Sequence, residues 1–194
     1  LVMIGYVMSQ TQGDAPPAGR LSAPPLPRLA AVAVNGATYL IIPALLVPIG
    51  LLLGRRGVTL SSLAVNAIGF VLVIAPATVW AAWWEARPRG RTPGKRLLRL
   101  QVIDQRTRTL ASPKQAVVRN LIKIALPWEL GHTVALGYAY TAGSVVPGWL
   151  WALAAVTYGW LLLNLILLII PSHRPVHDRL ARTVVRVQRM VVTP

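Results

Sequence analysis

The chain has 194 residues, enough for one domain and hardly two, and it carries 55% hydrophobic but only 13% charged residues where a soluble domain has about 25% charged. Lipid is therefore the solvent that this composition fits. The net charge of +15, from 20 Lys and Arg against 5 Asp and Glu, would suggest nucleic acid on a soluble protein, but here the basic residues lie between apolar runs and form no single patch, so no nucleic-acid partner is expected. The absence of cysteine excludes disulfides and thiol catalysis.

Residues 1–8 are apolar but too short for a signal h-region with its cleavage site, and Met8 is expected to be the start. The segment 9–27 is rich in Pro, Gly, Ala and Ser, so 1–27 reads as a disordered tail. A membrane helix needs about 20 apolar residues. The runs 29–53 and 58–84 meet that need, joined by the tight turn Gly54-Arg55-Arg56-Gly57, and 146–170 is a third clear span. Pro43 and Pro48 interrupt the first run, which membrane helices tolerate by bending.

Residues 117–140 are ambiguous, because they carry Arg119, Lys123, Glu129 and His132 and contain Pro127. Basic residues follow both the second run and the last one, and the positive-inside rule places both regions in the cytoplasm. A single crossing between them would separate them, so 117–140 is expected to cross as well. The expected fold class is an all-α membrane protein: a four-span helical bundle with both termini cytoplasmic and a cytoplasmic connection at 85–116. Trp80, Trp83 and Trp84 at one end of the second run, and Trp149 and Trp151 at one end of the last, suit the headgroup level.

Within the connection, Thr92-Pro93 starts a short helix and 100–104 reads as a short strand. Ser112-Pro113-Lys114-Gln115 has the spacing of a capping box at a helix start. Near the C-terminus, 175–181 can form a short helix, and Thr183-Val184-Val185-Arg186-Val187 has β-propensity. A small cytoplasmic β pairing of that segment with 100–104 is expected, followed by a tail at 188–194.

The stretches Gly90-Arg91-Thr92-Pro93-Gly94-Lys95-Arg96-Leu97-Leu98, Val102-Ile103-Asp104, Arg119-Asn120-Leu121 and His177-Asp178-Arg179-Leu180-Ala181-Arg182-Thr183-Val184-Val185 together resemble the RDD family of bacterial membrane proteins. The resemblance covers about 28–187 and implies a multi-span inner-membrane protein for which transport is the usual expectation. It also implies a signature of one arginine and two aspartates. Arg28 and Asp178 match it, while Asn35 stands where the first aspartate would be. A carboxylate-based proton relay is therefore not available at position 35.

Ionisable and polar groups inside hydrocarbon are site candidates by default. A polar path is expected from Asn35, Asn66, Glu129, His132 and Asn164, with a hydrogen bond between Asn35 and Asn164 open to the first and last spans. Arg28 either anchors at the inner membrane edge or pairs with Asp178. Lipid-phosphate contacts are expected from Arg87, Arg89, Arg91, Lys95, Arg96, Arg99, Arg119 and Lys123. No metal site is expected, because Pro175 spoils the spacing of His173 and His177, and no cofactor or catalytic group stands out. The leading expectation is movement of a small solute or ion. The alternative is a membrane scaffold or accessory subunit that holds anionic lipid or a partner protein. A homo-oligomer is compatible with both.

Overall fold

The computed structural model describes residues 22–88, 90–141 and 143–188; Arg89 and the outer parts of both expected tails lie outside the described residues. Residues 22–27, assigned by composition to a disordered tail, are instead ordered. Ala23 is buried and its N–H bonds to the Val185 carbonyl, and the helix α1 already starts at Pro25 (Pro25–Tyr39). Proline fits a first helical turn, where its missing N–H would have no partner anyway.

The expected first span is two helices, α1 and α2 (Ile41–Arg55), bent by 42°. Pro43 explains the break. It cannot donate to the Tyr39 carbonyl, and its ring crowds that group. The next run is helical from end to end: α3 (Ser62–Gly69), a π-helical segment (Phe70–Ile74) and α4 (Ala75–Ala86). Ser61 caps its start, accepting from the Ala64 N–H.

After the short helix α5 (Pro93–Leu97) and strand β1 (Leu100–Asp104), a second long helical run follows the same plan. It comprises α6 (Pro113–Asn120), a π-helical segment (Leu121–Ala125) and α7 (Leu126–Tyr140). Ser112 and Gln115 close the capping box at its start. Both π-helical segments run up to a proline, Pro76 and Pro127. A proline within an α-helix would clash with the carbonyl four residues back, and a wider turn relieves this. Pro127 thus leaves the helix continuous.

Helix α8 (Gly148–Ile169), short helix α9 (Val176–Leu180) and strand β2 (Thr183–Val187) complete the chain. The two strands pair antiparallel from Leu100↔Val187 to Asp104↔Thr183, the pairing anticipated from β-propensity. Leu100, Val102 and Val185 form a small core with Ala23, Ala31 and Ala111, which seats the strand pair on the start of α1. Two helical stretches, Ser62–Ala86 and Gly148–Ile169, are long and apolar enough to cross a membrane, and the bent α1–α2 pair makes a third if counted as one span. Leu45, Leu51, Val71, Val79, Leu162 and Ile169 are exposed on them, as a lipid-facing surface requires. Trp149 and Trp151 are also exposed.

Helices α7 and α8 pack together through Gly137, where an added Cβ would lie 2.6 Å from Leu150 Cδ1. Leu150 is fully buried. Gly137→Val should lower the thermal midpoint in detergent, by the ~1–3 kcal/mol typical of overpacking, and adding Leu150→Ala should recover part of the loss. Gly131 has open space around its Cβ position, so Gly131→Ala on the same helix should leave the midpoint unchanged or slightly raised.

Candidate functional site

Glu85 sits in the last turn of α4 and is completely buried. A carboxylate at a helix C-terminus faces unfavourable dipole charge, so its ionised form needs external partners. Arg119 Nη1 donates to both oxygens, at 2.7 and 2.8 Å, and Asn120 Nδ2 donates to Oε2 at 2.9 Å. Lys95 Nζ donates to Oε1. The capped helix α6 delivers Arg119 and Asn120 from its final turn, and α5 delivers Lys95.

Asp178, on α9, is also completely buried. Arg119 Nε donates to its Oδ1 at 2.8 Å, Arg28 Nη2 donates to Oδ2, and Thr183 Oγ1 lies 3.4 Å from Oδ1. The Arg28–Asp178 pair of the signature therefore exists. Arg28 also donates to the His173 carbonyl and to Ser22 Oγ. Arg119 is the bridge: one guanidinium, 1% exposed, binds both carboxylates. Its planar fork suits such a role better than an ammonium would.

The charges reshape the titration of their neighbours. Burial alone would raise the Asp178 carboxyl, but Arg119 and Arg28 hold it well below the usual carboxylate range. Burial lowers Lys95 to about 8, with Glu85 opposing the shift. Burial likewise pushes the His177 imidazole down to about 3, against the pull of Asp178. His177 is thus neutral at neutral pH, 3.8 Å from Asp178.

Asn35 joins the site from α1, buried, through two bonds. Its Oδ1 accepts from the Gly94 N–H at 3.0 Å and its Nδ2 donates to Thr92 Oγ1 at 2.9 Å. The Thr92-Pro93-Gly94 start of α5 is thereby pinned to α1. Gly94 is obligatory here, because a Cβ would collide with the Ala31 carbonyl and lie 2.9 Å from Asn35 Oδ1.

The expected polar path divides. Asn66, Glu129 and His132 come together: Asn66 Nδ2 donates to Glu129 Oε2 at 3.0 Å, and His132 Nδ1 lies 2.6 Å from Asn66 Oδ1. Glu129 Oε1 is buried without a partner among the described residues. Asn35 and Asn164 do not meet, since Asn164 bonds the Trp160 carbonyl and the Val176 N–H instead.

The expected lipid-phosphate set also needs correction. Lys95 and Arg119 are buried with carboxylates, so neither faces lipid. Lys123 is half-buried on the π-helical segment and lines a cavity. Arg87 is exposed with its guanidinium 3.3 Å over the Trp83 ring, Arg96 and Arg99 are exposed, Arg91 is half-buried, and Arg89 lies outside the described residues.

Glu85 escaped the sequence reading. The signal was its isolation, one of 5 acidic residues in the chain, directly after a long uncharged run and beside a basic segment. The described residues contain no group of His, Asp and Glu able to hold a metal ion.

Removing one member of a buried ion cluster strands the others, which costs about 3–5 kcal/mol. Arg119→Met should therefore destabilise the folded protein far more than Arg96→Met, as read by thermal unfolding in detergent. His177 yields a pH prediction. Between its ordinary value of 6.5 and its folded value of about 3, the unfolded chain takes up a proton there and the folded chain does not. Stability contributed by the neutral ring is present above pH 6.5 and falls as pH drops through that window. His177→Asn should flatten the acid limb of a plot of midpoint against pH in that interval.

Comparison with known proteins gives one result. The RDD family model matches residues 22–182, which span every charged group of the buried network. No curated protein and no solved structure matched the chain. A match over most of the chain settles the assignment that the signature residues suggested: the chain belongs to the RDD family, and is a membrane protein built on apolar helices.

Proposed function

We propose that this protein moves a small solute or ion across the bacterial inner membrane, as a four-span, non-enzymatic membrane protein with both termini in the cytoplasm. The fourth crossing in this reading is the continuous helical run of α6, its π-helical segment and α7. The observation that carries the transport reading is Glu129, a carboxylate between apolar helices. One of its oxygens has no partner among the described residues, and the other is tied through Asn66 to His132. A structural carboxylate would be expected to have both oxygens satisfied. A carboxylate and an imidazole sharing one amide can instead hold or hand on a proton or bind a cation. The scaffold alternative loses support, because Arg28, Lys95 and Arg119 are spent inside the molecule and are not free for lipid or a partner.

Reconstitution in sealed liposomes tests the reading. An imposed pH gradient would be followed by dye while Na⁺, K⁺, Li⁺ and Ca²⁺ are added in turn, with empty liposomes as control. Cation-dependent dissipation is expected in the wild type and should be at least tenfold slower in Glu129→Gln, which keeps the shape and the Asn66 contact. Flux that is absent, or equal in the variant, would reject the role of Glu129. Arg28→Ala is a poor control, since it disrupts three contacts of the fold, to Ser22, His173 and Asp178.

A further inference from the structure

A cavity of about 60 Å³ lies where α1, the π-helical segment before α7, the end of α8 and the α9 region meet. That volume exceeds what one water needs. Leu29, Val32 and Leu168 contribute apolar walls, and Arg28, Lys95, Arg119 and Lys123 contribute charge.

The charges around it do not balance. Four basic side chains, Arg28, Lys95, Arg119 and Lys123, surround two carboxylates, Glu85 and Asp178. Arg28, Lys95 and Arg119 use both carboxylates, and Lys123 has no ion pair or hydrogen bond among the described residues. No other described acid can serve it. Asp104 accepts from the N–H groups of Arg106 and Thr107 and from Gln115, and Glu129 is not among the residues that line the cavity and bonds Asn66 on its own side of α7. The fifth acid of the chain, Asp14, lies outside the described residues. His177, neutral, also lines the cavity and adds no compensating charge.

We propose that this cavity binds a phosphate group, with Lys123 as the residue that recognises it. A compact oxyanion supplies the negative charge that holds Lys123 as an ammonium, and it offers several acceptor oxygens to that side chain. The apolar wall favours a phosphate that arrives on a membrane lipid. Leu29 and Val32 are exposed on α1, so an acyl chain can lie along that helix while the headgroup occupies the charged end. This site is separate from Glu129 and does not depend on the transport reading.

Thermal unfolding of the full-length protein distinguishes the sources. One arm uses nanodiscs of phosphatidylcholine alone or with phosphatidylglycerol or phosphatidic acid; the other uses detergent-solubilised protein with inorganic phosphate, against chloride at equal ionic strength. Anionic lipid should raise the midpoint, with the shift lost in Lys123→Met and kept in Lys123→Arg. A shift with inorganic phosphate, lost in the same variant, would also support the site and identify a free anion as its ligand. No anion-dependent shift in either arm, or an equal shift in wild type and Lys123→Met, would overturn the proposal. Should Lys123→Met fail to fold, Lys123→Gln with ³¹P NMR of bound phosphate gives the same decision: loss of the bound signal supports the site and its retention rejects it.

Discussion

The Arg119 guanidinium between two buried carboxylates is the constraint on which the molecule is organised. Glu85 ends one long helical run and Asp178 lies near the C-terminus, and neither could stay ionised in a low-dielectric interior alone. Arg119 binds both, so α4, α6 and α9 must converge on one point. Arg28 extends the convergence to the start of α1, and Lys95 extends it to α5. An apolar seam between membrane helices provides little hydrophobic drive, since lipid tails are as apolar as the helices themselves. A directional ion network can specify the arrangement where such a seam cannot.

The two proline-linked π-helical segments serve the same end. The second, Leu121–Ala125, directly follows Asn120, so the widened turn begins where the helix leaves the network. It sets the rotation of α7 relative to α6, and with it the side on which Glu129 and His132 meet Asn66. The first, Phe70–Ile74, contributes Val73 and Ile74 to a cluster with Ala125, packed by Phe70, Ile124 and Trp128. The two distortions thus pack against each other, and each run passes its proline with the helix unbroken.

Much of the local structure was legible from residues. The capping box at Ser112, the short helix after Thr92 and the pairing of 100–104 with 183–187 depend on near-neighbour chemistry that spacing reveals. The network was only partly legible. Arg28 and Asp178 were visible as a pair, because an aspartate in a basic tail needs a partner. Glu85 was not, because a charge at the end of an apolar run looks like a span boundary, and nothing local shows that three donor residues, Lys95, Arg119 and Asn120, converge on it. Arg119 and Lys95 were misassigned to lipid for the same reason. A basic residue beside a membrane helix has the same sequence context whether its charge reaches a phosphate or a buried carboxylate. The first span was read as continuous, although Pro43 stands four residues after Tyr39 and removes the hydrogen bond that would have carried α1 into α2.

Asn35 shows how one atom's chemistry separates architecture from charge. Where the resemblance implies an aspartate, the amide oxygen still accepts from the Gly94 N–H, and the amide nitrogen donates to Thr92 Oγ1. A carboxylate could make both contacts with the Thr92 hydroxyl turned round to donate. The clamp on the Thr92-Pro93-Gly94 turn therefore survives the exchange. The charge does not survive it. An aspartate at 35 would stand at the edge of the cavity that Lys123 lines, and it would cut the excess of basic over acidic side chains there from two to one. Losing the carboxylate thus removes a titrating group from α1 and deepens the demand for an anion beside Lys123, which follows from the amide alone.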